Sequence, residues 1–124
     1  MRSTLSVLAA AAVIVAVPAA AHPKLLSSTP AAGATVKSTA KVELRFSERL
    51  VARLSSAQVV MTGMPGMADH PPMPVQGRAA MAADGKTLVV TLARPLAAGS
   101  YKVTYQVVSA DTHKIEGGFD FTVR

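Results

Sequence analysis

The clearest structural signal in this 124-residue sequence is the stretch Lys41-Val42-Glu43-Leu44-Arg45-Phe46-Ser47. The apolar residues Val42, Leu44 and Phe46 alternate with charged residues along it. Successive side chains of a β-strand point to opposite faces, so this alternation predicts a strand with one buried face. We therefore expect a sheet that packs against a core on one side and faces water on the other.

The same period of two recurs along the rest of the chain. Residues 101–107 alternate as clearly, and Asp84-Gly85 is a strong turn signal in front of another apolar run. We expect strands at residues 24–29, 41–47, 57–61, 75–81, 87–92, 101–107 and 119–123, with Gly117-Gly118 forming the last turn. No amphipathic helix stands out. The pattern predicts an all-β fold, a seven-stranded Greek-key β-barrel or sandwich.

The first 21 residues have the pattern of a secretory signal peptide. Arg2 supplies the positive charge, residues 5–17 form an uncharged apolar run, and the small residues 19–21 match a cleavage site. Cleavage after Ala21 would leave residues 22–124 as one small exported β domain. The alternative is an uncleaved membrane anchor, for which the apolar run is short.

The composition excludes several kinds of site. The chain has no cysteine, so it has no disulfide, and a soft metal ion would need methionine ligands. The net charge is +6, but the basic residues are spread singly and aromatic residues are only 4% of the chain. We therefore expect no nucleic-acid partner and no stable membrane insertion after cleavage.

Residues 61–73, which we call the methionine loop, contain Met61, Met64, Met67 and Met73 together with His70. Glycine and proline residues between them rule out a regular helix, so these methionines cannot form a helical core stripe. Thioethers are soft ligands that select Cu(I), and the loop therefore predicts a Cu(I) site. The alternatives are a flexible apolar gap-filler and a set of sacrificial oxidant targets.

A second set of ligands depends on the cleavage site. His22 would become the first residue and could offer both its α-amine and its imidazole to one metal ion. Pro23 has no amide proton to lose, so further ligands must come from elsewhere. Asp111 and His113 are two residues apart and share a face in extended chain, and Glu48 follows a strand. These nitrogen and oxygen atoms suit a tetragonal Cu(II) centre.

Each of these residues also has an ordinary explanation. An N-terminal histidine can be an accident of cleavage, Asp111 and His113 can be solvated turn residues, and Glu48 can be a surface carboxylate. Asp111 could also orient an imidazole instead of binding the metal, which leaves Glu48 and Asp111 open as the main oxygen ligand. The copper hypothesis depends on finding two copper-suited ligand sets in one cysteine-free domain.

Four segments occur together in the mature chain. They are His22-Pro23-Lys24-Leu25-Leu26-Ser27-Ser28-Thr29-Pro30, Leu44-Arg45-Phe46-Ser47-Glu48, the methionine loop, and Ser109-Ala110-Asp111-Thr112-His113 followed by Gly117-Gly118. This combination resembles the bacterial periplasmic copper-resistance protein C (CopC-like) family over residues 22–124. The resemblance implies a cupredoxin-like or immunoglobulin-like Greek-key fold with a copper site at each end.

The resemblance also implies the ligands. The Cu(II) ligands would be His22, Glu48, Asp111 and His113, and the Cu(I) ligands would be Met61, Met64, Met67, His70 and Met73. His70 departs from the family pattern because it follows Met67 by three residues instead of two. This spacing suggests a one-residue insertion at Ala68-Asp69, so the family pattern carries over less directly to His70 than to the methionines.

The function that the resemblance implies is copper handling without catalysis. The chain would be a periplasmic copper-binding carrier for copper tolerance or homeostasis. Its partners would be copper ions and another periplasmic or membrane copper protein, and it would not be an enzyme. Two rival hypotheses remain: a copper mono-oxygenase with an N-terminal histidine brace, and a β-sandwich interaction module without metal. Oxygen consumption with copper, reductant and polysaccharide would indicate the first, and absence of copper binding the second.

Overall fold

The structure is a computed structural model that describes residues 10–14, 22–68 and 70–124. Most of the predicted signal peptide at residues 1–21, and Asp69 of the methionine loop, lie outside the described residues. Residues 10–14 have no regular secondary structure. Within the described ranges there is no helix long and apolar enough to cross a membrane.

The described residues form nine β-strands and one short 3-10 helix, Ala52–Leu54. The strands are β1 (Leu25–Thr29), β2 (Thr35–Val36), β3 (Lys41–Phe46), β4 (Ser56–Gly63), β5 (Met73–Pro74), β6 (Gly77–Met81), β7 (Thr87–Leu92), β8 (Gly99–Val108) and β9 (Lys114–Val123). Two of these strands, β2 and β5, have only two residues each. The other seven correspond to the seven strands predicted from the sequence.

The strands form two sheets, with the orders β1-β3-β7-β6 and β2-β9-β8-β4-β5. When the two short strands are set aside, this is the ABED and GFC arrangement of a constant-type immunoglobulin sandwich. The predicted all-β, immunoglobulin-like Greek-key fold is therefore confirmed. Of the two predicted forms, the sandwich is the one found, because the sheets formed by the described residues do not close into a barrel.

The core lies between the two sheets. Val42, Leu44 and Phe46 of β3 are fully buried, as their alternation with charged residues predicts. The other sheet contributes Tyr101, Val103 and Val107 from β8 and Phe119, Phe121 and Val123 from β9. Burial of each large apolar side chain contributes about 1.5–3 kcal/mol, so this shared core stabilises both sheets at once.

The predicted turn at Gly117-Gly118 is wrong, because both glycines lie inside β9. The ring of Tyr105 on the neighbouring strand lies over Gly117, and a Cβ at residue 117 would be 2.6 Å from its Cζ atom. A Cβ at Gly118 would be 2.7 Å from the carbonyl oxygen of Val103. These glycines therefore provide space for a close approach and do not reverse the chain.

The ten-residue strands β8 and β9 set the distance between the two ends of the sandwich. At about 3.3 Å per residue they span about 30 Å. Leu25 pairs with Phe46, so the N-terminal segment lies at the end where β3 finishes, near the loop from β8 to β9. Met61 pairs with Tyr101 and Met73 close to the start of β8, which puts the methionines at the opposite end.

Candidate metal centres at the two ends of the sandwich

The segment around His22 is fixed against the end of β3. Pro23 is fully buried. The backbone N–H of Lys24 donates to the hydroxyl oxygen of Ser47, and the N–H of Ser47 donates to the Lys24 carbonyl, both at 2.9 Å. These contacts fix Lys24, two residues after His22, against Ser47, the residue that precedes the predicted ligand Glu48.

The loop from β8 to β9 holds Asp111 and His113 together. The Nδ1 atom of His113 lies 3.0 Å from the Oδ2 atom of Asp111. Ser109, which is buried, donates its hydroxyl to the Oδ1 atom of the same carboxylate. The backbone N–H of Ser109 also donates to the His113 carbonyl at 2.9 Å. Both predicted ligands are thus held by one serine that sequence analysis assigned no role.

These hydrogen bonds lower the pKa of Asp111 and favour one tautomer of His113. The bonds from the Ser109 hydroxyl and then from His113 lower the pKa of Asp111 below its ordinary value. A carboxylate only accepts hydrogen bonds, so Nδ1 of His113 carries the proton that lies between them. The Nε2 atom of His113 is then the nitrogen with a free lone pair, which is what a metal ion requires.

The four predicted nitrogen and oxygen ligands meet in pairs. The rings of His22 and His113 lie 4.5 Å apart between centroids, at an angle of 61°. Glu48 and Asp111 line one surface cavity of about 370 Å³, together with Arg49. However, no three histidine or acidic side chains of the described residues come close enough together to hold a metal ion. The structure therefore brings the predicted ligands to one end, and they do not form a full coordination sphere there.

The methionine loop is more structured than the sequence predicts. Met61 lies inside β4, which continues to Gly63, and Met73 lies in β5 and pairs with it. Met64 and Met67 exchange two backbone hydrogen bonds of 2.9 Å across a two-residue turn. Gly66 in that turn has a φ of 82°, which fits the Pro-Gly pattern of a type II turn.

The thioethers differ in their access to solvent. Met64, Met67 and Met73 are exposed by 37%, 53% and 50% of their surfaces. Met61 is partly buried and packs against the core. Met61 and Met73 line a cavity of about 190 Å³. Arg94, which has no predicted role, lines the same cavity.

His70 lies close to this turn. Its backbone N–H donates to the Thr62 carbonyl at 3.2 Å. Its Nδ1 atom lies 2.8 Å from the Pro71 carbonyl, and because a carbonyl only accepts, Nδ1 carries the proton. Its Nε2 atom therefore has a free lone pair, and this atom is buried without a hydrogen-bond partner among the described residues. Such a nitrogen fits a metal ligand.

Comparison with known proteins establishes the family of the chain. A family profile described as the CopC domain matches residues 25–124. The chain belongs to the CopC family. Copper resistance protein C of Pseudomonas syringae pv. tomato is 50% identical over 123 residues, which cover 99% of this chain and 97% of that protein. Copper resistance protein C of Escherichia coli is 47% identical over 110 residues, covering 89% and 87%.

Solved structures of CopC-family proteins have the same fold. The crystal structure of PcoC, a methionine-rich copper resistance protein from Escherichia coli, matches with a TM-score of 0.77 at 45% identity, covering 84% of this chain and all of that one. CopC from Methylosinus trichosporium OB3b matches with a TM-score of 0.69 at 32% identity, covering 82% and 93%. The family predicted from the sequence is confirmed. So is the absence of an enzymatic role, because the relatives are copper resistance proteins.

Proposed function

We propose that this CopC-family chain is a periplasmic carrier that binds Cu(II) at one end of the sandwich and Cu(I) at the other. The observation that supports it most is the separation of two chemically different donor sets. Nitrogen and oxygen ligands gather at the His22 end, and exposed thioethers gather about 30 Å away. The family supports copper as the cargo, since its members include copper resistance proteins.

The Cu(II) site of the proposal uses His22, Glu48, Asp111 and His113. After cleavage of residues 1–21, His22 would supply an α-amine and an imidazole, and the adjacent His113 would supply Nε2. Glu48 and Asp111 would offset the double charge of the ion. This borderline set of nitrogen and oxygen donors matches the preference of Cu(II) for tetragonal sites.

The Cu(I) site of the proposal uses Met61, Met64, Met67, His70 and Met73. Soft thioethers prefer Cu(I), and the free lone pair on the His70 Nε2 atom can add one nitrogen. Three of the methionines are exposed, so an acceptor can reach them. We infer that the cargo passes to another copper protein in the periplasm or at a membrane.

Acidification tests the chemical difference between the sites. Amine and imidazole nitrogens bind metal only when deprotonated, so protons compete with Cu(II) as the pH falls from about 8 to about 5. Thioethers do not take up protons in this range. We expect competition assays on mature residues 22–124 to show Cu(II) affinity falling steeply and Cu(I) affinity changing little. A Cu(II) affinity that stays constant from about pH 8 to about pH 5 would refute the proposed nitrogen ligands.

A further inference from the structure

The fold separates the five methionines of the described residues into two groups. The side chains of Met64, Met67 and Met73 are exposed by 37–53% of their surfaces. Met61 and Met81 are partly buried and pack against the hydrophobic core. This division does not follow the proposed copper ligands, because Met61 is one of them and lies in the partly buried group.

The backbone explains why the first group is accessible. Met64 and Met67 flank a two-residue turn, and Met73 lies in the two-residue edge strand β5. Met61 instead lies within β4, and its Cε atom would be only 2.9 Å from a Cβ placed on Gly99. An added oxygen atom can be hydrated on the exposed side chains, whereas on Met61 or Met81 it would meet apolar neighbours.

The accessible thioethers can undergo one defined reaction. A peroxide or hypochlorous acid transfers one oxygen atom to the sulfur, which loses two electrons and becomes a sulfoxide. With hydrogen peroxide, the O–O bond breaks and water leaves. The product is polar, and its accessible donor atom is a hard oxygen, which is a poor ligand for Cu(I).

We propose that Met64, Met67 and Met73 form an oxidant-responsive modification site. Their oxidation abolishes the binding of soft metal ions at the methionine loop, while the proposed Cu(II) site keeps its affinity. This inference rests on the proposed Cu(I) function of the methionine loop. The exposure of these three side chains allows their oxidation without unfolding. The distance of about 30 Å to His22 and His113 keeps the nitrogen and oxygen ligands unaffected.

The first experiment measures the order of oxidation. Mature residues 22–124 are treated with limiting hydrogen peroxide, quenched with catalase and mapped by peptide mass spectrometry. We expect Met64, Met67 and Met73 to become sulfoxides at least about tenfold faster than Met61 and Met81, since oxidation follows exposure. Equal rates at the partly buried and the exposed residues would overturn the proposal.

The second experiment measures the consequence, with Ag(I) as a redox-inert soft ion added after the peroxide is removed. We expect the triply oxidised protein to bind Ag(I) at least about 100-fold more weakly, because three soft donors are lost. Its Cu(II) affinity should stay within about twofold, since no Cu(II) ligand changes. An Ag(I) affinity that is unchanged after oxidation would overturn the proposal.

Two variants serve as matched controls. Met81→Leu should leave both Ag(I) binding and its sensitivity to peroxide unchanged, because Met81 packs against the core. Replacing Met64, Met67 and Met73 together by leucine should weaken Ag(I) binding without oxidation and remove the peroxide response. If the untreated protein binds neither Ag(I) nor Cu(I), the proposed function fails, whatever the order of oxidation.

Discussion

At the scale of single residues, Ser109 organises the nitrogen and oxygen end of the molecule. It is buried, and its hydroxyl contacts the Asp111 carboxylate while its backbone N–H holds the His113 carbonyl. The bond from its hydroxyl is also the main cause that lowers the pKa of the Asp111 carboxyl below its ordinary value. In the proposed Cu(II) site, its effect would pass through Asp111 and His113, which it orients.

Ser109→Ala should weaken Cu(II) binding by about tenfold, since partners that orient metal ligands typically contribute 10–100-fold in affinity. Cu(I) affinity should not change, because the methionines lie at the other end. Competition assays on the mature protein measure both values. Ser28→Ala is a suitable control, since it removes another serine hydroxyl. The Ser28 hydroxyl donates to the Pro30 carbonyl oxygen at 2.9 Å. An unchanged Cu(II) affinity would mean that the orientation of Asp111 and His113 does not matter.

Among the proposed Cu(I) ligands, His70 is the one whose spacing from Met67 departs from the family pattern. The free lone pair on its buried Nε2 atom can serve as a nitrogen donor to a metal ion. His70→Ala should weaken Cu(I) binding by about tenfold and no more, because the softer thioethers remain. A Cu(I) competition titration measures this change, with Cu(II) binding as the internal control. Complete loss of Cu(I) binding would show that the imidazole and not the thioethers dominates the site.

At the scale of elements, the pair Gly117-Gly118 was predicted as a turn but lies inside β9. Glycine serves both at positions with positive φ and where two groups approach closely, and its place in the sequence does not distinguish these uses. Gly85 has a φ of 69° and makes the predicted turn. Gly117 instead makes room for Tyr105 on the paired strand.

Gly117→Ala should lower the free energy of unfolding by about 1–3 kcal/mol, because the new methyl group overlaps the Tyr105 ring. Chemical denaturation measures the change. In a Tyr105→Val background the same substitution should cost much less, since the ring is absent. If the cost is equal in both backgrounds, the close approach does not explain the glycine.

The strands themselves were predictable because their pattern is local. Alternation marks which residues of β3 and β8 face the core, and Thr87–Leu92 has the predicted bounds. The proposed ligands follow from residue types that the family resemblance groups into two sites, and they stay a prediction. The hydrogen bonds of Ser109 and the covered position of Gly117 could not be predicted, because they depend on contacts between segments that only the fold brings together.

At the scale of the whole molecule, the sandwich acts as a spacer between two chemically different ends. The N-terminal segment and the β8–β9 loop lie at one end, and the methionine loop lies at the other, about 30 Å away. Exposed charges at this distance are well screened at physiological salt, where the Debye length is about 8 Å. We therefore expect the two proposed sites to bind copper independently.

A direct test of the two-site proposal compares the protein starting at His22 with the same protein acetylated at its α-amine. Acetylation removes the α-amine as a donor and breaks the chelate that it would share with the imidazole of His22. Titrations with Cu(II) and Cu(I) should show Cu(II) affinity falling by at least about 100-fold, since a chelating ligand is lost, with Cu(I) affinity unchanged. Unchanged Cu(II) affinity, or the loss of both, would contradict a two-site carrier with its Cu(II) centre at the N-terminus.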